Sequence, residues 1–445
     1  MRHWKKGLVY LLTGTILLTA GGCGSSEGES GSGTSDSGEF DINSAATDEK
    51  TRTIQKLIDD RFYYDIDPTR QEEAYYDGML NGLGDKYARY YTPEEFAKTM
   101  EEDSGEYVGI GCTVSQRAES REIYVVEPMR GSPAEEAGLL PEDVFVEIDG
   151  VALTTGMELD EVVKMIRGSA NSTAHLKMYR EGEDDFLEFD VPRRKVQNIT
   201  VDYEMLENGM GYIKISDFID NTSEQFKEGV DYLIGKGASA IIFDIRNNPG
   251  GFTDEATEMV DYIVPDNTVP AGGDPEKPGL LLEIRDKEDR VMFKSYTEDG
   301  HEVTLPMAIL MNSNSASSSE IFIGCLRDYG KVVMVGEKSY GKGIVQQTFP
   351  LQDGSAVKMT IASYFLPAGS NIHEQGIEPD VEVKLPIEKL RILNRLPHNE
   401  DPQLIKAIEV LGGTPLPEPE TTEQPGTTEQ PETTEQPGTT ETTEE

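Results

Sequence analysis

Ser317, Lys342 and Gln346 have the types and spacing for covalent chemistry. They lie in one stretch that opens NSNSASSSEIF (312–322) and closes SYGKGIVQQ (339–347). A serine hydroxyl attacks a carbonyl well only when a base takes its proton. The histidines are His3, His175, His301, His373 and His398, and none sits in a local Ser–His–Asp pattern, so lysine is the candidate base. A lysine amine serves when neutral, and burial neutralises it by penalising the ammonium. Gly341 and Gly343 flank Lys342, and Ile344, Val345 and Phe349 follow as residues able to wall off water. Read as a strand, positions 342 and 346 share a face, so the Gln346 amide is expected to hold the Lys342 amine without adding a charge.

Ser317-x-x-Glu320 ahead of Ile321 and Phe322 is also a helix capping box. The two readings are compatible, because unpaired N–H donors at a helix start suit a developing oxyanion. A second stretch, AIIFDIRNNPGG (240–251), runs as a buried strand into a turn where Gly250 and Gly251 can bare backbone N–H groups. An ordinary Pro-Gly turn reads the same way. Residues 336–343, GEKSYGKG, approach a phosphate-binding loop, but Gly343 stands where a magnesium-holding Ser or Thr is needed. A nucleotide site is set aside on that mismatch.

Together these stretches resemble the carboxyl-terminal processing proteases, PDZ-containing Ser–Lys serine peptidases of bacterial envelopes and plastids. In that resemblance SASSSE places the nucleophile at Ser317, SYGKG places the base at Lys342 with Tyr340 for the usual phenylalanine, and Gln346 follows as the orienting amide. DIRNNPGG matches a family signature with Ile245 for leucine. Ser318 stands where relatives carry alanine; its backbone N–H is retained and its extra hydroxyl has no assigned part. The resemblance covers about residues 50–390. It implies an oxyanion hole from the N–H groups of Ser318 and of Gly250 or Gly251. It implies an α/β fold: a crotonase-like αββ spiral with an inserted or preceding PDZ domain and an N-terminal helical segment. The implied function is a serine endopeptidase that recognises exposed, apolar protein C-termini, with no cofactor and no metal. The rival reading is a non-catalytic PDZ scaffold at the cell surface, for which the Ser–Lys–Gln set has no use.

The elements that must position these residues follow along the chain. Residues 1–22 read as a signal peptide, with Arg2, Lys5 and Lys6 ahead of an apolar run from Leu8 to Leu18 that is too short to span a bilayer. Cys23 after Ala20-Gly21-Gly22 resembles a lipoprotein attachment site, giving a lipid-anchored protein of the cell envelope; plain secretion is the alternative. Residues 24–47 form a Gly/Ser-rich tether. Residues 48–103 are expected to be helical, through Ile54, Leu57, Ile58 and Phe62 and then Tyr75, Met79 and Leu83. In relatives such helices pack other subunits, a route to a homo-oligomer; a cap on the same subunit is the alternative.

Residues 104–192 resemble a PDZ module. The loop YVGIG offers the N–H groups of Val108, Gly109, Ile110 and Gly111 to a peptide carboxylate. Arg167 either links this module to the catalytic domain or is a solvated surface charge. Residues 193–392 alternate apolar strands with helices, an α/β layering. A short helical segment at 393–413 follows. His373 reads as structural, and Cys112 and Cys325 read as buried thiols. Residues 414–445 repeat TTEQP with nine glutamates and no basic residue, a composition unable to bury a core. With 83 acidic against 40 basic residues and a net charge of −43, nucleic acid is excluded as a partner.

Overall fold

The computed structural model describes residues 45–129 and 131–417. The expected signal peptide, Cys23, most of the tether and nearly all of the acidic tail lie outside the described residues. No helix among the described residues is long and apolar enough to cross a membrane. The chain divides into two units, Met1–Pro68 and Thr69–Glu445. The first carries the helix Ala45–Arg61, whose apolar positions Ile54 and Leu57 are exposed.

The second unit begins within the helix Pro68–Asn81, with Tyr75 and Met79 exposed. The next segment corrects the expectation of helix throughout 48–103. Arg89–Tyr91 is a strand that pairs antiparallel with Ala356–Phe365, with Tyr90 opposite Val357. The strand is short, its aromatic pair is buried, and only a partner over 250 residues away makes it one. The chain then forms the helix Pro93–Asp103, opened by a Thr92/Glu95 capping box and Pro93.

The ribbon Glu106–Gly109 with Arg194–Gln197 marks where the chain leaves the larger domain and returns. Between them a separate sheet runs in the order Cys112–Gln116, Ile123–Pro128, Val144–Ile148, Thr173–Tyr179, Leu187–Pro192. In Thr173–Tyr179 every second residue is buried (Ala174, Leu176, Met178), the period of a half-buried strand. Val162 and Ile166 of the helix Leu159–Ile166 pack on this core. A strand of the larger domain, Arg89–Tyr91, precedes this module, so the module is inserted into that domain rather than placed before it.

The main sheet runs in the order Val201–Met205, Gly211–Ile215, Ile241–Asp244, Met307–Met311, Val332–Gly336, Val381–Glu382. All neighbours after the first pair are parallel. Its central strands are apolar on both faces because both are covered. On one face lie the helices Thr222–Gly235, Thr253–Ile263 and Ser318–Asp328, with Phe226, Phe243 and Phe322 packed ring to ring. On the other lies the helix Pro402–Val410, with Leu404, Ala407 and Ile408 against Ala240, Ile242, Ala308 and Leu310. The 393–413 segment is thus a layer of the α/β domain rather than an appendix. Buried Arg246 fastens it by bonding Asp244, Asp401 (2.7 Å) and Gln403 (2.8 Å).

A second sheet joins Ile344–Pro350, Ala356–Phe365, Leu280–Arg285 and Val291–Tyr296 with Arg89–Tyr91. The hairpin Leu280–Tyr296 has no counterpart in the sequence reading. One partner strand is buried along nearly its whole length and the other is half exposed, so neither shows a clean alternation.

Candidate active site

The neighbouring parallel strands Ile241–Asp244 and Met307–Met311 both release loops at their carboxyl ends, where open α/β sheets place their sites. The serine hydroxyls of the second loop staple it to the first. Ser315 Oγ donates to Ile245 C=O (2.9 Å), Ser319 Oγ to Asn248 C=O (2.9 Å) and Ser318 Oγ to Gly251 C=O (2.8 Å). All three are buried. Ser317 is half-buried and stands at φ 56° and ψ −117°, strained for a residue with a Cβ. Gly250 makes room for that turn: a Cβ on it would lie 2.7 Å from Ser317 Cβ.

Glu320, wholly buried, is the piece that the capping-box reading undervalued. Its Oε2 accepts Ser317 N–H (3.0 Å) and Lys342 N–H (2.8 Å). Its Oε1 accepts Gly341 N–H (2.7 Å) and the Ser339 hydroxyl (2.5 Å). One carboxylate therefore joins the serine turn to the lysine loop. The loop is packed in turn against residues 373–376: a Cβ on Gly341 would lie 2.9 Å from Gly376 N, and one on Gly343 2.5 Å from His373 N. His373 thus meets the loop through its backbone.

The 82–91 stretch covers this centre, a part that sequence reasoning missed. The Tyr87 ring centroid lies 4.6 Å from Lys342 Nζ. Lys86 Nζ donates to Tyr340 Oη (2.8 Å), and Asp85 accepts N–H bonds from Tyr87 (2.9 Å) and Thr360 (3.0 Å). Burial works to raise the Asp85 carboxyl, but the bonds from Tyr87 and Thr360 and the nearby Lys342 charge hold it below its ordinary value. The Lys342 amine is pushed down from its ordinary value, first by burial and then by the Lys358 and Lys86 charges, against the opposing pull of Tyr340 and Glu320.

Two sequence expectations for this loop are corrected. Lys342 precedes the strand Ile344–Pro350, and the register shifts between Val345 and Gln346, so the two-residue alternation does not carry from 342 to 346. The Gln346 amide donates to Thr360 Oγ1 (3.2 Å) rather than to Lys342. Val345 packs against the domain core, and Tyr87 takes its expected place as the cover of the amine.

Of the expected oxyanion donors, Gly250 N–H already donates to Asn248 Oδ1 (2.9 Å). Gly250 C=O accepts from Phe218 N–H (3.3 Å), and Phe252 N–H donates to Phe218 C=O (2.6 Å). The N–H groups of Gly251 and Ser318 have no partner among the described residues. Cys325 is buried as expected, whereas Cys112 at the start of its edge strand is only half-buried. Burial pushes Cys112 up to about 12 and Cys325 well above its ordinary value, and Cys325 Sγ donates to Leu281 C=O (3.1 Å).

In the inserted module Val108 and Gly109 belong to the ribbon, opposite Lys195 and Arg194. The loop is therefore shorter than expected and consists of Ile110 and Gly111. The Ile110 side chain enters the module core, and Gly111 (φ 76°) lies where a Cβ would sit 2.4 Å from Ser132 Cβ. The following strand, Cys112–Gln116, is an edge strand that among the described residues pairs only with Ile123–Pro128. Arg167 is not a free surface charge: it pairs with Glu101 (2.9 Å) of the helix Pro93–Asp103 and stacks on Tyr107 (4.8 Å).

Comparison with known proteins follows this division. Residues 209–383 match the model of peptidase family S41, and residues 124–180 match a PDZ domain. The chain is 33% identical over 338 residues to a "Probable CtpA-like serine protease" of Staphylococcus haemolyticus, covering 76% of this chain and 65% of that protein. It is 33% identical over 368 residues to the protein of the same description in Staphylococcus aureus strain N315, covering 81% of this chain and 70% of that protein. Among solved structures it is similar to the photosystem II D1 C-terminal processing protease, at 25% identity and a TM-score of 0.44, covering 82% of this chain and 94% of that one. With a third of its residues shared over most of both lengths, the chain belongs to the PDZ-bearing C-terminal processing proteases of serine peptidase family S41.

Proposed function

We propose that this chain is a serine endopeptidase in which Ser317 is the nucleophile and Lys342 the general base. The observation that carries this reading is the Glu320 carboxylate, one oxygen of which holds the backbone of both residues. Ser317 Oγ attacks the scissile carbonyl and its proton passes to the neutral Lys342 amine. The tetrahedral oxyanion is met by the Gly251 and Ser318 N–H groups. Its collapse expels the amine, which takes the proton back from Lys342. Water, activated by the same amine, then hydrolyses the acyl-enzyme. Gln346 is fastened by Thr360 rather than by the amine. The test is cleavage of an unstructured protein with an apolar C-terminus by the purified chain. Fragments are expected, and binding without turnover would favour a scaffold.

Substrate selection by the PDZ module is supported by its edge strand beside the Ile110–Gly111 loop, the arrangement that adds a peptide as a further strand. An amidated C-terminus lacks the carboxylate, so it is expected to lower kcat/KM by about tenfold, the loss of one charge-assisted contact. Equal rates on free and amidated substrates remove the module from substrate choice. The sequence of residues 1–23 supports attachment to the cell envelope through Cys23. The exposed Ile54 and Leu57, with Tyr75 and Met79, suit contact with a second copy.

The base also sets a pH dependence. Lysine in water is protonated at neutral pH by about three units, so Lys342 works only with its affinity for protons depressed. Activity rises as pH rises through that depressed value. Lys358→Met removes a neighbouring positive charge, which lets Lys342 hold its proton to higher pH. The rising limb of kcat/KM is expected to move to higher pH. An unmoved limb, or a move to lower pH, removes Lys358 from the tuning of the base.

A further inference from the structure

The Ser318 hydroxyl has no part in the proposed reaction, yet it is fully buried and makes one directed bond, to Gly251 C=O at 2.8 Å. Gly251 cannot carry a side chain, since a Cβ would lie 2.1 Å from Phe218 O. A residue without a Cβ is free to rotate about its backbone, and a donor that rotates is a poor oxyanion ligand. The surroundings remove that freedom one group at a time. Asn248 takes Gly250 N–H, Phe218 N–H takes Gly250 C=O, and Phe252 N–H is taken by Phe218 C=O. The last backbone acceptor of the pair, Gly251 C=O, is taken by Ser318. What remains without a partner among the described residues is Gly251 N–H, together with the N–H of Ser318 itself.

We propose that Ser318 is a positioning residue for the oxyanion hole: its hydroxyl pins Gly251 to the first residue of the serine helix and so fixes the two free N–H donors relative to one another. Ser315 and Ser319 tie the same two loops at Ile245 and Asn248, further from the donors. The Ser318 bond is the one that joins the two donor residues directly. In this chain the spacing rests on a hydrogen bond that strengthens in a dry site.

The proposal rests on the serine-peptidase reading, and one experiment separates the two. Ser318→Ala and Ser317→Ala are made in the full chain, and kcat, KM and inhibition by a peptide aldehyde are measured. The aldehyde's hemiacetal oxygen occupies the place of the oxyanion. Alanine is smaller than serine, so the site accepts it, and a melting curve below which all assays are run confirms the fold. For Ser318→Ala, kcat is expected to fall by about 10- to 100-fold, less than the loss of a whole donor, with KM within about twofold. Aldehyde affinity is expected to fall by the same factor as kcat. Unchanged kcat and aldehyde affinity, or a loss confined to KM or to melting temperature, overturns the positioning role. Parent-level turnover in Ser317→Ala overturns the reading beneath it instead.

Discussion

Ser317→Ala and Lys342→Ala are each expected to lower kcat/KM on a peptide substrate by about 10⁴-fold or more, while the thermal unfolding curve stays within a few degrees of the parent's. The nucleophile and its base act as one unit, so losing either removes nearly the whole covalent route, and the double variant is expected to be no worse than the poorer single one. Neither side chain holds the fold together. Ser317 lies in a turn whose backbone is bonded through Glu320, and Lys342 presents its amine to the face of Tyr87. Relieving Ser317 of its Cβ strain with glycine adds a second check. Ser317→Gly is expected to be inactive and as stable as the parent or more so, since positive φ no longer costs about 1–3 kcal/mol.

The second large effect is expected at Glu320, and it has two components. Glu320→Ala leaves the N–H groups of Ser317, Gly341 and Lys342 and the Ser339 hydroxyl facing a buried void. Unpaired buried donors and the lost volume together are expected to cost about 3–5 kcal/mol of stability, measured by denaturant unfolding. Glu320→Gln keeps the volume but replaces one accepting oxygen with an N–H₂ group. With the N–H₂ at the Oε1 place, the Ser339 hydroxyl can turn to accept from it and Gly341 N–H meets another donor; at the Oε2 place, the N–H groups of both Ser317 and Lys342 do. Glu320→Gln is expected to fold with reduced stability and to lose about tenfold in kcat, because the lysine loop gives up its Gly341 bond while the remaining oxygen still holds Ser317 and Lys342. Parent-like kcat in Glu320→Gln would show that the Gly341 bond has no part in placing the base.

Which parts of this architecture can be read from sequence follows from the range of the forces involved. Ser318–Asp328 and Thr253–Ile263 are visible because their apolar residues recur with helical spacing and their first turns carry acids. The strands Ile241–Asp244 and Met307–Met311 are visible as apolar runs of strand length. Arg89–Tyr91 is not, because its three residues become a strand only by pairing with Ala356–Phe365. The same holds for the site. Ser317 and Lys342 stand out by motif and by the glycines around the lysine. Tyr87, Asp85 and Lys86 carry no local signal, since their part depends on that long-range strand pairing to bring them over the lysine loop. Glu320 was visible as a capping residue, but its second pair of bonds comes from residues 339–342 and could not be read from spacing. Gln346 was misplaced for a specific reason: the strand begins after Lys342 and slips at Val345, and a period-two argument fails across such a break.

In the proposed reaction one hydroxyl, that of Ser317, carries the chemistry. A fluorophosphonate inactivates a serine peptidase by phosphonylating its nucleophile, and the modified residue can be found by mass spectrometry of the digested chain. Samples taken through the inactivation are to be assayed for peptide cleavage and for the extent of labelling at each serine between 313 and 319. The prediction is that cleavage falls in proportion to phosphonylation of Ser317, with Ser315, Ser318 and Ser319 unlabelled because their hydroxyls are buried and bonded. Full activity with Ser317 phosphonylated, or inactivation that tracks a label on any other residue, would contradict it.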